Sequence, residues 1–179
     1  ETRNGRVVRD GQGIDPDIEV PLEDFSYVHE GLLDEGVIFD FGTRYANEHD
    51  TLMLEDWDLA QEDWTDFVKY AASRDIPYSS QSMRVYERLE ELSREERLFD
   101  ADSSVFIAVQ EQLTPDINRD LERFREEITR SIEHELVRRM HPQEAYFAWS
   151  QREDPELNVA IELLQTGAYE ALLKGPNQD

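Results

Sequence analysis

A stripe of apolar residues between positions 115 and 140 constrains the fold of this chain more than any other feature of its sequence. The stripe repeats at intervals of four, three, four, four and four positions, which keeps its members on one face of an α-helix. Thr114 as the capping residue and Pro115 at the first helical position predict where this helix begins. A core-facing helix of this length predicts an all-α, multi-helix domain. The members of the stripe are Ile117, Leu121, Phe124, Ile128, Ile132 and Leu136.

Shorter helical patterns occupy most of the chain after residue 22, so we predict one all-helical domain over residues 22–179. The first two helices are expected to be separated near Gly31 to Gly36, although the segment GVIFDF is also compatible with a short strand. Further helices are predicted over 60–74, after Ser79 or Ser80, after DADSS, from Pro142 and from Pro155. The inner faces of the first two helices are expected to carry Phe25, Val28, Leu32, Leu33, Ile38, Phe41 and Tyr45.

The first 21 residues follow a different pattern. GRVV and IDPDIEV are short β-branched runs on either side of an Asp10-Gly11 turn, which predicts a strand-turn-strand over residues 5–20. Pro16 cannot donate to a sheet ladder, so the second run is expected to be an edge strand or an extended strap. Two strands alone are marginal in water and their edges remain unpaired. We expect them to fold back on the helices or to self-associate with a second copy.

The charge of the chain limits the partners it can have. Asp and Glu number 42 against 18 Lys and Arg, which gives a formal net charge of −24. Such a surface repels nucleic acid and anionic lipid, so we expect neither as a partner. The acidity is compatible with adaptation to high salt and equally with a basic protein partner. The chain has no cysteine, so it forms neither a disulfide nor a thiolate metal site.

Two groups of acidic residues match the spacing of an EF-hand calcium loop. Asp116, Asn118, Asp120 and Glu127 form the first group, and Asp100, Asp102, Ser104 and Glu111 form the second. Both lack the glycine at the sixth position that the sharp turn of this loop requires. The apolar stripe also requires a helix at the first group. We therefore expect the first group to be a solvated helix face, and we expect no metal site or cofactor site.

The remaining candidates for catalysis do not form a recognisable constellation. His134 and His141 lie seven positions apart, which is about 10 Å along a helix and too far for one zinc ion. A Ser–Lys dyad needs a desolvated lysine beside a serine. Lys69 is predicted on a helix with acidic neighbours, and Lys174 lies near the C-terminus. No catalytic residue is expected in this chain, including Ser79 and Ser80.

The opening segment resembles the end of the catalytic core in carboxy-terminal processing peptidases, the tail-specific serine proteases. The similar motif is Gly13-Ile14-Asp15-Pro16-Asp17-Ile18-Glu19-Val20, which corresponds to the family's G-[IV]-x-P-D-[IV]-x-V strand. A second similarity is to the sequence of the helical extension in a subgroup of these peptidases. The residues that carry it are Leu32, Leu33, Gly36, Phe39-Asp40-Phe41 and Arg44-Tyr45. DPELNVAIELLQTGAYEALL resembles the end of that extension.

This resemblance implies that residues 1–21 end a peptidase core and that residues 22–179 are a non-catalytic C-terminal helical domain. The expected task of that domain is to brace the core, to shape substrate access or to mediate assembly. The family's catalytic serine and lysine, and its PDZ-like domain, belong to segments that precede the Gly-Ile-x-Pro-Asp strand. The expected partners are therefore the catalytic core and PDZ-like domain of the same polypeptide, and the protein substrates of the parent peptidase. Its expected location is the periplasm or cell envelope. The alternative is an independent acidic helical interaction module unrelated to proteolysis.

Overall fold

The computed structural model describes residues 16–21, 24–54, 57–98 and 104–174. Within these ranges the chain is helical and contains no strand, which confirms the all-α prediction. None of the helices found there is long and apolar enough to cross a membrane. The helices are α1 Tyr27–Asp34, α2 Val37–Glu48, α3 Gln61–Ala72, α4 Gln81–Glu95, α5 Ser104–Leu113, α6 Ile117–Arg123, α7 Arg125–Met140, α8 Gln143–Ser150, the 3₁₀-helix Gln151–Glu153, α9 Pro155–Thr166 and α10 Ala168–Lys174.

The predicted strand-turn-strand lies largely outside the described residues. Residues 16–20, the described part of its second strand, have a bend and no strand pairing. A β-strand is held by a ladder of hydrogen bonds to a neighbouring strand, and the described residues supply no such neighbour. The predicted self-association through residues 5–20 stays a prediction.

Local capping chemistry determines where several helices begin. Ser26, Ser80 and Asp154 each accept a hydrogen bond from the backbone N–H three residues further on, as N-cap side chains do. Pro155 follows Asp154 at the first helical position, where its missing N–H costs nothing. The helix starts predicted at Ser80 and Pro155 are therefore confirmed.

The first two helices are separated at Glu35 and Gly36. Gly36 has φ 64°, a left-handed conformation that glycine adopts without a Cβ penalty. The chain is helical through Gly31 and again from Val37, so the strand alternative for GVIFDF is wrong. Because α1 and α2 are short and joined by this tight turn, each can present a different face to the core.

The long predicted helix is divided into α6 and α7 at Phe124, whose φ of −110° and ψ of 25° depart from helical values. The helical hydrogen bonds Phe124 N–H to Asp120 O and Ile128 N–H to Phe124 O nevertheless continue through the junction. The predicted start is also corrected. Asp116 caps α6 by accepting from the Arg119 N–H at 2.9 Å, so Pro115 lies before the cap.

The members of the apolar stripe are not equally buried in the divided helix. Leu121 and Ile128 are fully buried, whereas Ile117 and Phe124 are only half-buried. Two of the predictions for the inner face of the first helix are wrong, because Phe25 lies before α1 and is 52% exposed, and Leu33 is 43% exposed. The stripe residues Ile132 and Leu136 are buried as predicted, together with Val28, Leu32, Ile38 and Phe41.

Residues 24–146 form a compact unit, and the buried apolar residues of the described chain lie within it. Helix α2 packs on α7, and α3 packs on α2 and α6. Gly42 allows the close approach of α2 and α7, since a Cβ there would lie 2.8 Å from Glu135 Cγ. The largest fully buried side chains include Trp64, Phe41, Phe67, Leu32, Leu121, Ile128, Ile132 and Leu136.

The described residues of the second compact unit are 16–21 and 147–174. Its described part contains α9 and α10, which contact one another, separated by Gly167 as expected. No residue that the structure describes in this unit is buried. The sequence-based division into residues 1–21 and 22–179 stays a prediction.

Candidate functional site

The Ser and Lys residues that were considered for a catalytic dyad lie on helices or directly before a helix. Lys69 is exposed in the last turn of α3, where water solvates its ammonium group. Ser80 Oγ accepts from the Met83 N–H at 3.1 Å, and Ser79 Oγ donates to the Ser80 carbonyl at 3.5 Å. Lys174 is the last residue of α10. Lys69 is therefore not desolvated, as the lysine of a Ser–Lys dyad must be.

The first calcium-like group lies at a cap and on helices and does not form a loop. The prediction that it is a solvated helix face is wrong at Asp120, which is fully buried. Asp116 caps α6, and Glu127 lies in the first turn of α7. Of the second group, Asp100 and Asp102 lie outside the described residues, and Ser104 and Glu111 lie on α5. Over the ranges that the structure describes, no three His, Asp or Glu side chains are grouped closely enough to hold a metal ion.

Asp120 is the centre of a buried hydrogen-bond network. Its carboxylate has no exposed surface and accepts from Tyr27 Oη and Tyr78 Oη, each at 3.1 Å. It also accepts from the Asp116 N–H at 3.1 Å and from Arg119 Nε at 3.2 Å. Burial, and then the Asp120 charge, raises the pKa of both tyrosines. The network joins α1 and the segment before α4 to α6, which is a structural role.

A Ser–His–Glu cluster at the start of α1 was not predicted from the sequence. Ser26 donates its N–H, at 3.1 Å, and its hydroxyl to Glu127 Oε1, and His29 Nδ1 lies 3.4 Å from the same oxygen. Ser26 is a recognisable capping residue, but Glu127 lies 101 positions away. No local pattern reveals that pairing.

The geometry of this cluster does not fit a catalytic triad. In a triad the histidine lies between the serine and the acid, whereas here Ser26 and His29 both contact Glu127. His29 is fully buried, which denies it a substrate. Burial lowers the pKa of His29, and the facing Glu127 carboxylate offsets this only in part. The cluster therefore holds the start of α1 against α7.

A half-open cavity of about 260 Å³ lies between the α1–α2 turn and α7. The Glu135 carboxylate in its polar wall is only 8% exposed and is paired with both Arg138 and Arg139. His134 Nδ1 lies 3.2 Å from Tyr146 Oη in the same wall. Sequence reasoning placed His134 in no site. The lining residues are Leu32, Leu33, Gly36, Ile38, Phe39, Ser131, His134, Glu135, Arg138 and Tyr146.

Besides this cavity, a second candidate for a functional site is an apolar surface on the hairpin of α4 and α5. Inside the hairpin, Tyr86 Oη donates to the Phe106 carbonyl at 3.0 Å, and the two rings lie 6.0 Å apart. Helix α5 contains no buried residue. The exposed apolar side chains are Val85, Leu89, Val105, Ile107 and Val109, here called the hairpin surface. Such a surface is suited to binding another protein surface rather than to catalysis.

Comparison with known protein families identifies the family of this chain. Residues 28–164 match the family described as "Probable PDZ-protease, C-terminal helical domain". The match covers more than half of the sequence, so the chain belongs to this family. This confirms the resemblance to the C-terminal region of a processing peptidase. No curated protein and no solved structure matches the chain.

Proposed function

We propose that this chain is the non-catalytic C-terminal helical domain of a serine endopeptidase of the carboxy-terminal processing type, and that it braces the protease core. The observation that carries the proposal is the arrangement of the Ser26, His29 and Glu127 cluster. The cluster has the residue types of a hydrolase triad, yet its His29 is fully buried and its Ser26 is the N-cap of α1. The family assignment supplies the protease context.

Bracing is favoured over a direct catalytic role by the distribution of polar groups. Asp120 and His29 are fully buried in contacts within the domain, so they have no surface to offer a substrate. The Glu135 carboxylate in the cavity wall is paired with Arg138 and Arg139. The exposed apolar side chains are available instead for contact with other parts of the polypeptide. The resemblance of residues 13–20 to the last core strand supports a direct connection between the core and this domain. It also supports a periplasmic or cell-envelope location for the parent.

The test is a comparison of the full-length polypeptide with variants altered in this chain. Cleavage of an unstructured polypeptide should persist in Ser79→Ala, Ser80→Ala and Lys69→Ala, because none of these groups takes part in catalysis. Deleting residues 28–164 should lower the melting temperature of the remaining protease part. Loss of turnover in the Ser80→Ala or Lys69→Ala variant, with its fold retained, would contradict the proposal. An unchanged melting temperature after the deletion would contradict bracing.

A further inference from the structure

The cavity between the α1–α2 turn and α7 has two walls that differ in chemistry. Helix α7 supplies a polar wall, because Ser131, Glu135 and Arg138 recur at intervals of four and three positions and so share one face of the helix. Helices α1 and α2 supply an apolar wall. Both walls belong to the compact unit of residues 24–146, so a ligand in the cavity meets both at once. The apolar wall consists of Leu32, Leu33, Ile38 and Phe39.

Arg138 is the charged group of the polar wall that is available to a ligand. Arg138 and Arg139 are both paired with Glu135, so the three side chains together carry one net positive charge. Arg139 is committed to the fold, because its guanidinium lies 4.4 Å from the centre of the Phe39 ring and its side chain is only 23% exposed. The Arg138 side chain is 61% exposed, and among the described residues its one polar partner is Glu135, which accepts from Nη2. Its other N–H groups can therefore donate to a ligand.

Ser131 adds a second donor to the same wall. It is half-buried and has no hydrogen-bond partner in the part of the chain that the structure describes. A carboxylate accepts from a hydroxyl and from a guanidinium, and its single negative charge matches the net charge of the wall. A phosphate monoester would bring about two negative charges, and an ammonium group would be repelled. The exposed carboxylates of Asp34 and Glu35 in the adjacent turn do not line the cavity.

We propose that this cavity binds a monocarboxylate that carries a short apolar group. The carboxylate lies on Arg138 and Ser131, and the apolar group lies against α1 and α2. The cavity volume of about 260 Å³ is below the roughly 300–1,000 Å³ of sites for drug-sized ligands, which favours a ligand of a few carbon atoms. Two sources share this chemistry: a free carboxylic acid, and the C-terminal residue of a polypeptide with an apolar side chain. The site is built within the helical unit and does not depend on the proposed function.

Hexanoate is the first probe, and ¹⁵N NMR of the 179-residue chain follows its binding. The amide signals of Ser131 and Phe39 should shift together, because they report on the two walls. Acetate and hexanamide should each bind at least about tenfold more weakly, because acetate lacks the apolar group and hexanamide lacks the charge. Equal affinities for hexanoate and hexanamide would overturn the carboxylate assignment. Shifts confined to residues outside the cavity would overturn the site itself.

Substitutions in the polar wall test the same proposal from the side of the protein. Arg138→Gln should weaken hexanoate binding at least about tenfold. Arg88→Gln is the matched control and should leave the affinity unchanged, since Arg88 is 60% exposed, is paired with a glutamate three positions away and does not line the cavity. Ser131→Ala should weaken binding about threefold, and it removes no hydrogen bond from the described structure. Unchanged affinity in Arg138→Gln overturns the proposal. If that variant does not fold, unchanged affinity in Ser131→Ala does so.

The peptide Ala-Ala-Leu with a free C-terminus distinguishes the two sources. Tighter binding of this peptide than of hexanoate, lost on amidation of its C-terminus, assigns the site to the end of a polypeptide. Weaker binding of the peptide than of hexanoate assigns the site to a free carboxylic acid. Both outcomes support a carboxylate site in this cavity.

Discussion

Helices α7 and α5 differ in a way that shows how burial is decided in this protein. Helix α7 is rich in charge, yet Ile128, Ile132 and Leu136 are fully buried. Helix α5 has a single charged residue and contains no buried residue. The apolar residues of α7 lie on one face, so the other face can remain in water. Those of α5 occupy consecutive positions and point in all directions, which no single neighbouring helix can cover.

Helices α9 and α10 resemble α5 more than α7 in this respect. They carry exposed Ile161 and Leu164 on one helix and Leu173 on the other, and neither helix contains a buried residue that the structure describes. Apolar content alone therefore does not identify the core. What separates the regions is whether a complementary face lies within the same compact unit.

The sharpest test of this comparison is a matched pair of isoleucine substitutions. Ile128→Ala removes a fully buried side chain from α7, and it should lower the free energy of unfolding by about 2–5 kcal/mol. Ile107→Ala, at a side chain that is 47% exposed, should cost less than about 1 kcal/mol. Urea denaturation measures both. Equal losses would mean that α5 is packed as firmly as α7.

A smaller effect is expected at the buried carboxylate of α6. Asp120→Asn replaces an acceptor oxygen with an amide donor among four existing donors, so it should destabilise the fold by about 1–3 kcal/mol. Asp116→Asn on the same helix is the control, because asparagine caps helices as well as aspartate does. If the two variants unfold at the same urea concentration, the Asp120 network contributes nothing specific to the core.

The pKa of His29 predicts a pH dependence of stability. Its folded-state value lies below the ordinary 6.5 because burial disfavours the charged ring. The unfolded chain therefore takes up a proton first, and stability should fall as the pH decreases from about 6.5 towards the folded-state pKa. Thermal melts of the parent and of His29→Gln between pH 8 and pH 5 measure this contribution. A parent profile that matches the variant would show that His29 does not titrate across the transition.

The smallest effect is expected at the end of α4. Arg97 has φ 54°, and the Leu98 N–H donates to the Ser93 carbonyl at 3.0 Å, a helix termination that favours glycine. Arg97→Gly should raise the free energy of unfolding by up to about 1 kcal/mol by relieving the left-handed strain. Arg88→Gly, in the middle of the same helix, should instead lower it by about 1 kcal/mol. A loss of stability in Arg97→Gly would show that the side chain offsets the strain.

Several features of this protein follow from the sequence alone because their causes are local. The caps at Ser80 and Asp154 and the break at Gly167 depend on groups within a few residues of one another. The helical class follows from the periodicity of apolar residues, and the family follows from short motifs at fixed spacing. Neither inference needs knowledge of the neighbours of each helix.

Tertiary structure alone decided which apolar residues are core and which polar groups meet. Phe25 and Leu33 fit the same α1 pattern as Val28 and Leu32, but only the latter pair has a covering surface. The contact of Ser26 with Glu127 spans 101 positions, and the kink at Phe124 divides a stripe that is continuous in the sequence. These outcomes depend on how separate helices pack, because burial is a property of the assembled surfaces and periodicity is a property of one helix.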